Sequence, residues 1–238
     1  VTLKLIVERE RQIKNFIPQE YWEIEAELKK ATSHKPQATS SFLAKLDKIE
    51  DKKAEIKNKE QAQNFIADIK DETFIVSGIK KTEKKRLPSA PFITSTLQQE
   101  GFNKLKFSAQ KTMIVAQQLY EGIDIAGTNP VGLITYMRTD STHVSAEAIK
   151  EVRNLITNNF GGDYLPKTPN VYKVKKYAQE AHEAIRPTLI RRSPESLREF
   201  LTSDQYKLYE IIYKRFVASQ MAPARYLVTT VNIKVAKF

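Results

Sequence analysis

Strict alternation of apolar and polar residues stands at both ends of this chain and constrains everything between. Trp22, Ile24, Ala26 and Leu28 alternate with Glu23, Glu25, Glu27 and Lys29. Successive side chains on a strand point to opposite faces, so this stretch predicts a strand with one face buried and one in water. Leu227, Thr229, Val231, Ile233 and Val235 repeat the pattern near the other end. Residues 41–48, with Phe42, Ala44 and Leu46 on one face, and residues 73–81 predict further strands. Between them the period is mostly helical. A chain built this way leaves its β layer, folds a helical body and comes back, so the final strand is expected to return to the first sheet. The expected fold class is α+β and multidomain, a β-rich part (18–87 and 223–238) carrying a mainly helical domain (88–222).

Local punctuation fills in the elements. Residues 3–16 form a charged amphipathic helix ended by Pro18. Residues 31–40 are polar, contain Pro36 and read as a loop. Asn58 with Gln61 resembles a capping box for a helix bearing Ala62, Phe65, Ile66 and Ile69. Residues 82–91 form a basic, proline-bounded connection with Lys84, Lys85 and Arg86, at which a domain boundary is placed; a solvated linker and a DNA contact are equally open for it. Gly101 ends the next helix. Ser108 caps another, whose stripe of Met113, Ala116 and Tyr120 reads as core, closed by Gly122. Residues 123–130 are a turn. Ile149, Val152, Ile156 and Phe160 face inward on a helix closed by Gly161-Gly162, and residues 163–176 are loop. Ser193-Pro194 starts a short helix. Thr202 with Gln205 caps a helix packed through Leu208, Ile211, Ile212 and Phe216.

Composition narrows the function classes. The net charge of +11, from 39 Lys+Arg against 28 Asp+Glu, points to a polyanion such as nucleic acid, with a generally lysine-rich proteome as the competing explanation. No apolar run approaches the roughly 18 residues that span a bilayer. Cysteine is absent, which removes disulfides and thiolate metal sites. Residue 1 is Val and the last strand runs to the end, so the chain reads as a segment of a longer protein.

The chemistry concentrates in residues 131–142, Val-Gly-Leu-Ile-Thr-Tyr-Met-Arg-Thr-Asp-Ser-Thr. Leu133, Ile134 and Thr135 read as a short buried strand running out into a loop. Asp140, Ser141, Thr142 and Ser145 offer oxygens to a following helix start. Tyr136 supplies a phenol oxygen, and Arg138, two residues on, a forked cation suited to phosphate. Alternation sets both on one side. From spacing alone, a packed ring beside a solvated cation is the ordinary reading of such a pair.

Three strings shift that reading: residues 92–99, residues 132–141, and residues 179–187, Gln-Glu-Ala-His-Glu-Ala-Ile-Arg-Pro. Together they resemble the type IA DNA topoisomerases. The Thr-Tyr-Met-Arg-Thr-Asp-Ser form is similar to the bacterial topoisomerase I branch; the topoisomerase III branch more often has Pro where Met137 stands. The Ile-Val-Glu-Arg-Glu string at 6–10 also resembles the family, and marks residues 1–17 as the end of a helical DNA-gate domain.

The resemblance implies a torus-shaped enzyme, with a β-rich arch and a tyrosine-bearing domain of winged-helix-like core. It implies ATP-independent relaxation of negative supercoils: one strand is cleaved through a 5′-phosphotyrosyl intermediate, a strand is passed, and the break is resealed. Tyr136 is then the nucleophile. Arg138 and His182 neutralise the scissile phosphate, and Arg138, Thr139, Asp140, Ser141, His182 and Arg186 are the expected DNA contacts. If residues 178–186 are helical, His182 and Arg186 share a face. Arg186 keeps two open roles, a DNA contact or a brace for acidic neighbours. The family's Mg²⁺ belongs to a Toprim domain that this sequence does not carry: it holds no Asp-x-Asp pair, Asp68, Asp71 and Glu72 read as solvated charge, and no metal ligand is expected here. The implied partners are a single-stranded segment of negatively supercoiled DNA and the Toprim and gate domains of the same chain. A monomer in the bacterial cytoplasm, at the nucleoid, is implied. The alternative from another class is a non-enzymatic, basic nucleic-acid-binding module. As an isolated segment the chain is expected not to relax DNA.

Overall fold

A computed structural model describes residues 1–29, 41–125, 127, 129–172 and 182–236. The expectations for 31–40, and for Gln179, Glu180 and Ala181 of the third string, lie outside these residues. The fold is α+β. It divides into two compact units, one of Val1–Thr82 with Leu227–Phe238, the other of Glu83–Tyr226.

The first unit opens with α1 (Thr2–Lys14), none of whose residues is buried. β1 (Glu25–Lys29) and β2 (Ser41–Lys45) form an antiparallel pair in which Ala26 faces Ala44 and Leu28 faces Phe42, so the apolar sides of both strands match. β3 (Lys48–Ile49) and β4 (Lys52–Lys53) make a tight hairpin across Glu50 and Asp51, both at positive φ, as a two-residue hairpin turn requires. In α2 (Lys59–Ile69) the Asn58 side chain accepts from the Gln61 amide, but Gln61 returns its bond to Lys57 rather than to Asn58, so only half of the expected capping box forms. Ile24, Ile56 and Ala62 form a small core with Leu46, Phe65 and Ile69 against it. Ile66, expected inward, is exposed.

β5 (Ile75–Arg86) runs further than the pattern predicts and takes in most of the basic run that reads as a linker. The reason is pairing: β6 (Ala224–Lys234) lies beside it, and the ladder holds extended a stretch whose composition alone suggests a loop. β6 therefore returns to β5 and not to the β1–β2 sheet.

The second unit carries α3 (Thr94–Leu105), α4 (Ala109–Glu121), α5 (Ala146–Phe160) and α6 (Ser203–Ser219). Ser108, Ser145 and Thr202 cap the last three as the sequence predicts, and Thr202 with Gln205 forms both arms of its capping box. Gly101 does not end α3. It lies inside the helix, where a Cβ would stand 2.6 Å from Thr112 Oγ1, so it lets α3 and α4 pack closely. Lys106, at φ 59, makes the turn instead. Gly122 and Gly161, both at positive φ, close α4 and α5.

Among the described residues, two cores fill this unit. One gathers Phe92, Leu97, Leu119, Leu133, Ile134, Met137 and Ile185 under Leu208 and Ile212 of α6. The other gathers Val144, Val152, Ile156, Ala184 and Ile190 under Phe216 and Val217 of the same helix. Ala184 and Ile185 are neighbours in sequence yet serve different cores, which an extended backbone allows because its side chains alternate. The described part of the third string, 182–187, is accordingly extended and not helical. Isolated antiparallel bridges join Ile185 to Phe92 and Pro187 to Ile134. Likewise 133–135 is no regular strand but one side of such a bridge. Phe160, expected inward, is exposed.

Candidate active site

The three strings meet, and hydrogen bonds from two threonines join them. Thr94, the first residue of α3, donates through Oγ1 to Met137 O at 2.7 Å, with Thr139 O at 3.0 Å, and accepts from Thr139 N at 2.9 Å. Its own amide donates to Thr139 O at 2.9 Å. Thr135 Oγ1 donates to Ala184 O at 2.6 Å and accepts from Arg186 N at 3.0 Å, while Thr135 N donates to Arg186 O at 2.9 Å. Ile185 N donates to Phe92 O at 2.8 Å. Each string thus uses the others to satisfy backbone groups that burial cuts off from water.

Tyr136 stands at the centre of this knot and is itself 39% exposed. On one side is Thr135, bonded as described; on the other is Met137, fully buried. Full burial of a side chain that size is worth about 1.5–3 kcal/mol, so Met137 anchors the loop in the core. Arg138 is exposed again, so the buried Met137 stands between two exposed side chains. Among the described residues Arg138 has no ion-pair or hydrogen-bond partner, which leaves its fork available to an anion. Two rings flank Tyr136: Tyr120 edge-on, with centroids 5.3 Å apart, and His182, tilted, at 5.8 Å.

The remaining sequence-predicted residues divide. Thr139 and Ser141 are buried, and their hydroxyls accept from Ser141 N and His143 N at 3.0 and 3.1 Å, so these side chains shape the loop. Asp140 is exposed. Arg186 pairs with Glu183 at 2.5 Å and donates to Pro187 O at 2.9 Å; of its two open roles, these contacts are the brace. The other oxygen of Glu183 accepts from Ser145 N at 2.6 Å, tying the third string to the start of α5.

A family model described as DNA topoisomerase matches residues 1–238. The chain belongs to the bacterial type IA DNA topoisomerase family. It is 49% identical over 225 residues to DNA topoisomerase 1 of Rickettsia felis, covering 93% of this chain and 28% of that protein. DNA topoisomerase 1 of Rickettsia bellii matches at the same identity, over 93% of this chain and 27% of that protein. Among solved structures, full-length topoisomerase I from Thermotoga maritima superposes with a TM-score of 0.74 at 39% identity, covering 98% of this chain and 35% of that one. The chain therefore spans little more than a quarter of the length of these curated relatives.

Sequence reasoning missed several residues of this candidate site. Thr94, Thr135 and Glu183 lie inside the three strings, yet nothing local shows that they bind one string to another. Tyr120 reads as core from its helical spacing and instead is 40% exposed against Tyr136. Among the described residues no three His, Cys, Asp or Glu side chains converge as a metal site, and no helix is long and apolar enough to cross a membrane.

Proposed function

We propose that the full-length protein containing this segment is an ATP-independent DNA topoisomerase that relaxes negative supercoils, with Tyr136 as its nucleophile. The observation that carries this reading is an exposed phenol on an anchored loop, with the exposed fork of Arg138 two residues on and the ring of His182 at 5.8 Å. The Tyr136 oxygen forms a bond to the phosphorus of a DNA phosphodiester and its proton is lost. The bond to the 3′-oxygen breaks, and that oxygen leaves as a 3′-hydroxyl. The product is a 5′-phosphotyrosyl ester, and the reverse displacement reseals the strand. Because the ester keeps the phosphoryl group activated, resealing needs no nucleotide. Arg138 and His182 meet the charge that develops on the phosphate oxygens, where preorganised hydrogen-bond donors act most strongly. Arg186 holds the third string in place, and Thr139 and Ser141 hold the loop on which Arg138 sits.

We assign 18–87 with 223–238 to the arch, 88–222 to the tyrosine-bearing domain of winged-helix-like core, and 1–17 to the end of a gate domain. The Mg²⁺ that the resemblance implies finds no carboxylate cluster among the described residues. It is assigned to a Toprim part of the longer protein, and no step above runs through it. The partner is a single-stranded segment of negatively supercoiled DNA, attracted by the net charge of +11. The protein works as a monomer at the nucleoid. The test is a covalent-trapping assay with a labelled single-stranded oligonucleotide: wild type forms a denaturant-resistant adduct and Tyr136→Phe forms none while still binding the oligonucleotide. An adduct on the Phe variant overturns the assignment.

A further inference from the structure

We propose that Tyr120, at the last turn of α4, is a positioning residue that holds the Tyr136 ring in its attacking orientation. The inference rests on Tyr136 being the nucleophile. The backbone of Tyr136 is fixed on both sides, through the hydrogen bonds of Thr135 and the buried side chain of Met137. What those contacts leave free is rotation of the side chain itself, and among the described residues the rings of Tyr120 and His182 flank it. Tyr120 supplies one of these contacts, edge-on at 62° between planes and 5.3 Å between centroids, a favoured geometry for an aromatic pair.

The backbone around this pair is built to bring it together. Leu133 N donates to Leu119 O at 2.7 Å, which fastens the loop to the end of α4 one residue from Tyr120. Gly132 makes the approach possible, since a Cβ there would stand 2.6 Å from the Tyr120 carbonyl oxygen. Burial gives no account of the ring: Tyr120 is 40% exposed, while Val115, Ala116 and Leu119 of the same helix are buried. Nor does a hydrogen bond, because the Tyr120 hydroxyl has no partner among the described residues. The ring, and not the oxygen, is the working part.

The full-length enzyme carrying Tyr120→Phe, Tyr120→Ala or Tyr136→Phe is assayed for single-turnover oligonucleotide cleavage, resealing and oligonucleotide affinity. Displacing a reacting group slightly costs up to about a hundredfold in rate. Tyr120→Ala is expected to slow cleavage and resealing together by about tenfold to a hundredfold, to leave the cleavage–resealing equilibrium unchanged and to keep the dissociation constant within about twofold. Tyr120→Phe restores the wild-type rate. Wild-type cleavage by Tyr120→Ala, a matching loss of affinity, or failure of Tyr120→Phe to restore the rate overturns the inference. A thermal melt of Tyr120→Ala coinciding with wild type excludes general unfolding, and a lowered one with Tyr120→Phe equally slow counts against it. If Tyr136→Phe still forms a covalent adduct, the nucleophile is misassigned and this inference falls with it. If Tyr136→Phe is inert while Tyr120→Ala is normal, only the positioning role is wrong.

Discussion

Thr94→Val tests whether the site is held by the knot of threonine hydrogen bonds. Valine keeps the shape of threonine and removes only the hydroxyl. Thr139 N–H then loses its acceptor and Met137 O its donor, whereas Thr139 O keeps the Thr94 amide at 2.9 Å. Met137 and Thr139 are both buried, so water does not replace these bonds readily. A buried polar group stripped of its partner costs about 1–3 kcal/mol, which for two groups gives roughly 2–6 kcal/mol. For a unit of this size that is a drop in melting temperature of roughly 5–20 °C. Thr94→Ser keeps the hydroxyl and loses one half-buried methyl, worth about 1 kcal/mol or less. The assay is urea unfolding of the 238-residue chain followed by far-ultraviolet circular dichroism. Helices α3 to α6 lie in the unit tested, whereas the single tryptophan, Trp22, lies in the other, so its fluorescence reports on the wrong part. A Val variant within about 0.5 kcal/mol of wild type, or a Ser variant as unstable as Val, refutes the reasoning.

Further outcomes follow from the same geometry. Gly132→Ala forces a Cβ against the Tyr120 carbonyl and is expected to destabilise the chain by about 1–3 kcal/mol in urea unfolding, and to slow cleavage in the full-length enzyme. In the full-length enzyme, Arg138→Ala lowers the cleavage rate more than the affinity for single-stranded DNA, measured at matched salt; equal losses would make Arg138 one backbone contact among many. Stability falls at alkaline pH. Burial pushes the Tyr172 phenol up to about 12, and burial also raises Tyr209 and Tyr213. The folded chain then keeps protons that the unfolded chain loses from about pH 10, so stability is full below that value and declines as pH rises towards 12. A urea midpoint constant across that window contradicts this.

How much of this was legible in the sequence depends on the range of the interaction. Caps are local, and Ser108, Ser145 and Thr202 act as the spacing predicts. The buried stripe of α6 is also local, and Leu208, Ile211, Ile212 and Phe216 all turn inward. The misses lie where distant residues decide. The segment 182–187 is extended because Phe92 and Thr135 satisfy its backbone and because Ala184 and Ile185 serve separate cores, and no window of ten residues carries that information. Gly101 looks like a helix end until Thr112 is seen against it. β5 continues through the basic run because β6, well over a hundred residues later, pairs with it. For the site, the three strings pointed to Tyr136, Arg138 and His182. What the strings did not reveal was that threonine hydroxyls lace them together, or that a ring from α4 completes the surround of Tyr136.

The most direct test of the central claim is to locate the covalent bond. The full-length enzyme is trapped on single-stranded DNA, digested with protease and nuclease, and the modified peptide is sequenced by mass spectrometry. The account predicts a nucleotide joined through its 5′-phosphate to Tyr136, within the peptide Thr-Tyr-Met-Arg, with a free 3′-hydroxyl on the other DNA fragment. A phosphoryl link on any other residue, or a link through the 3′-phosphate, contradicts it.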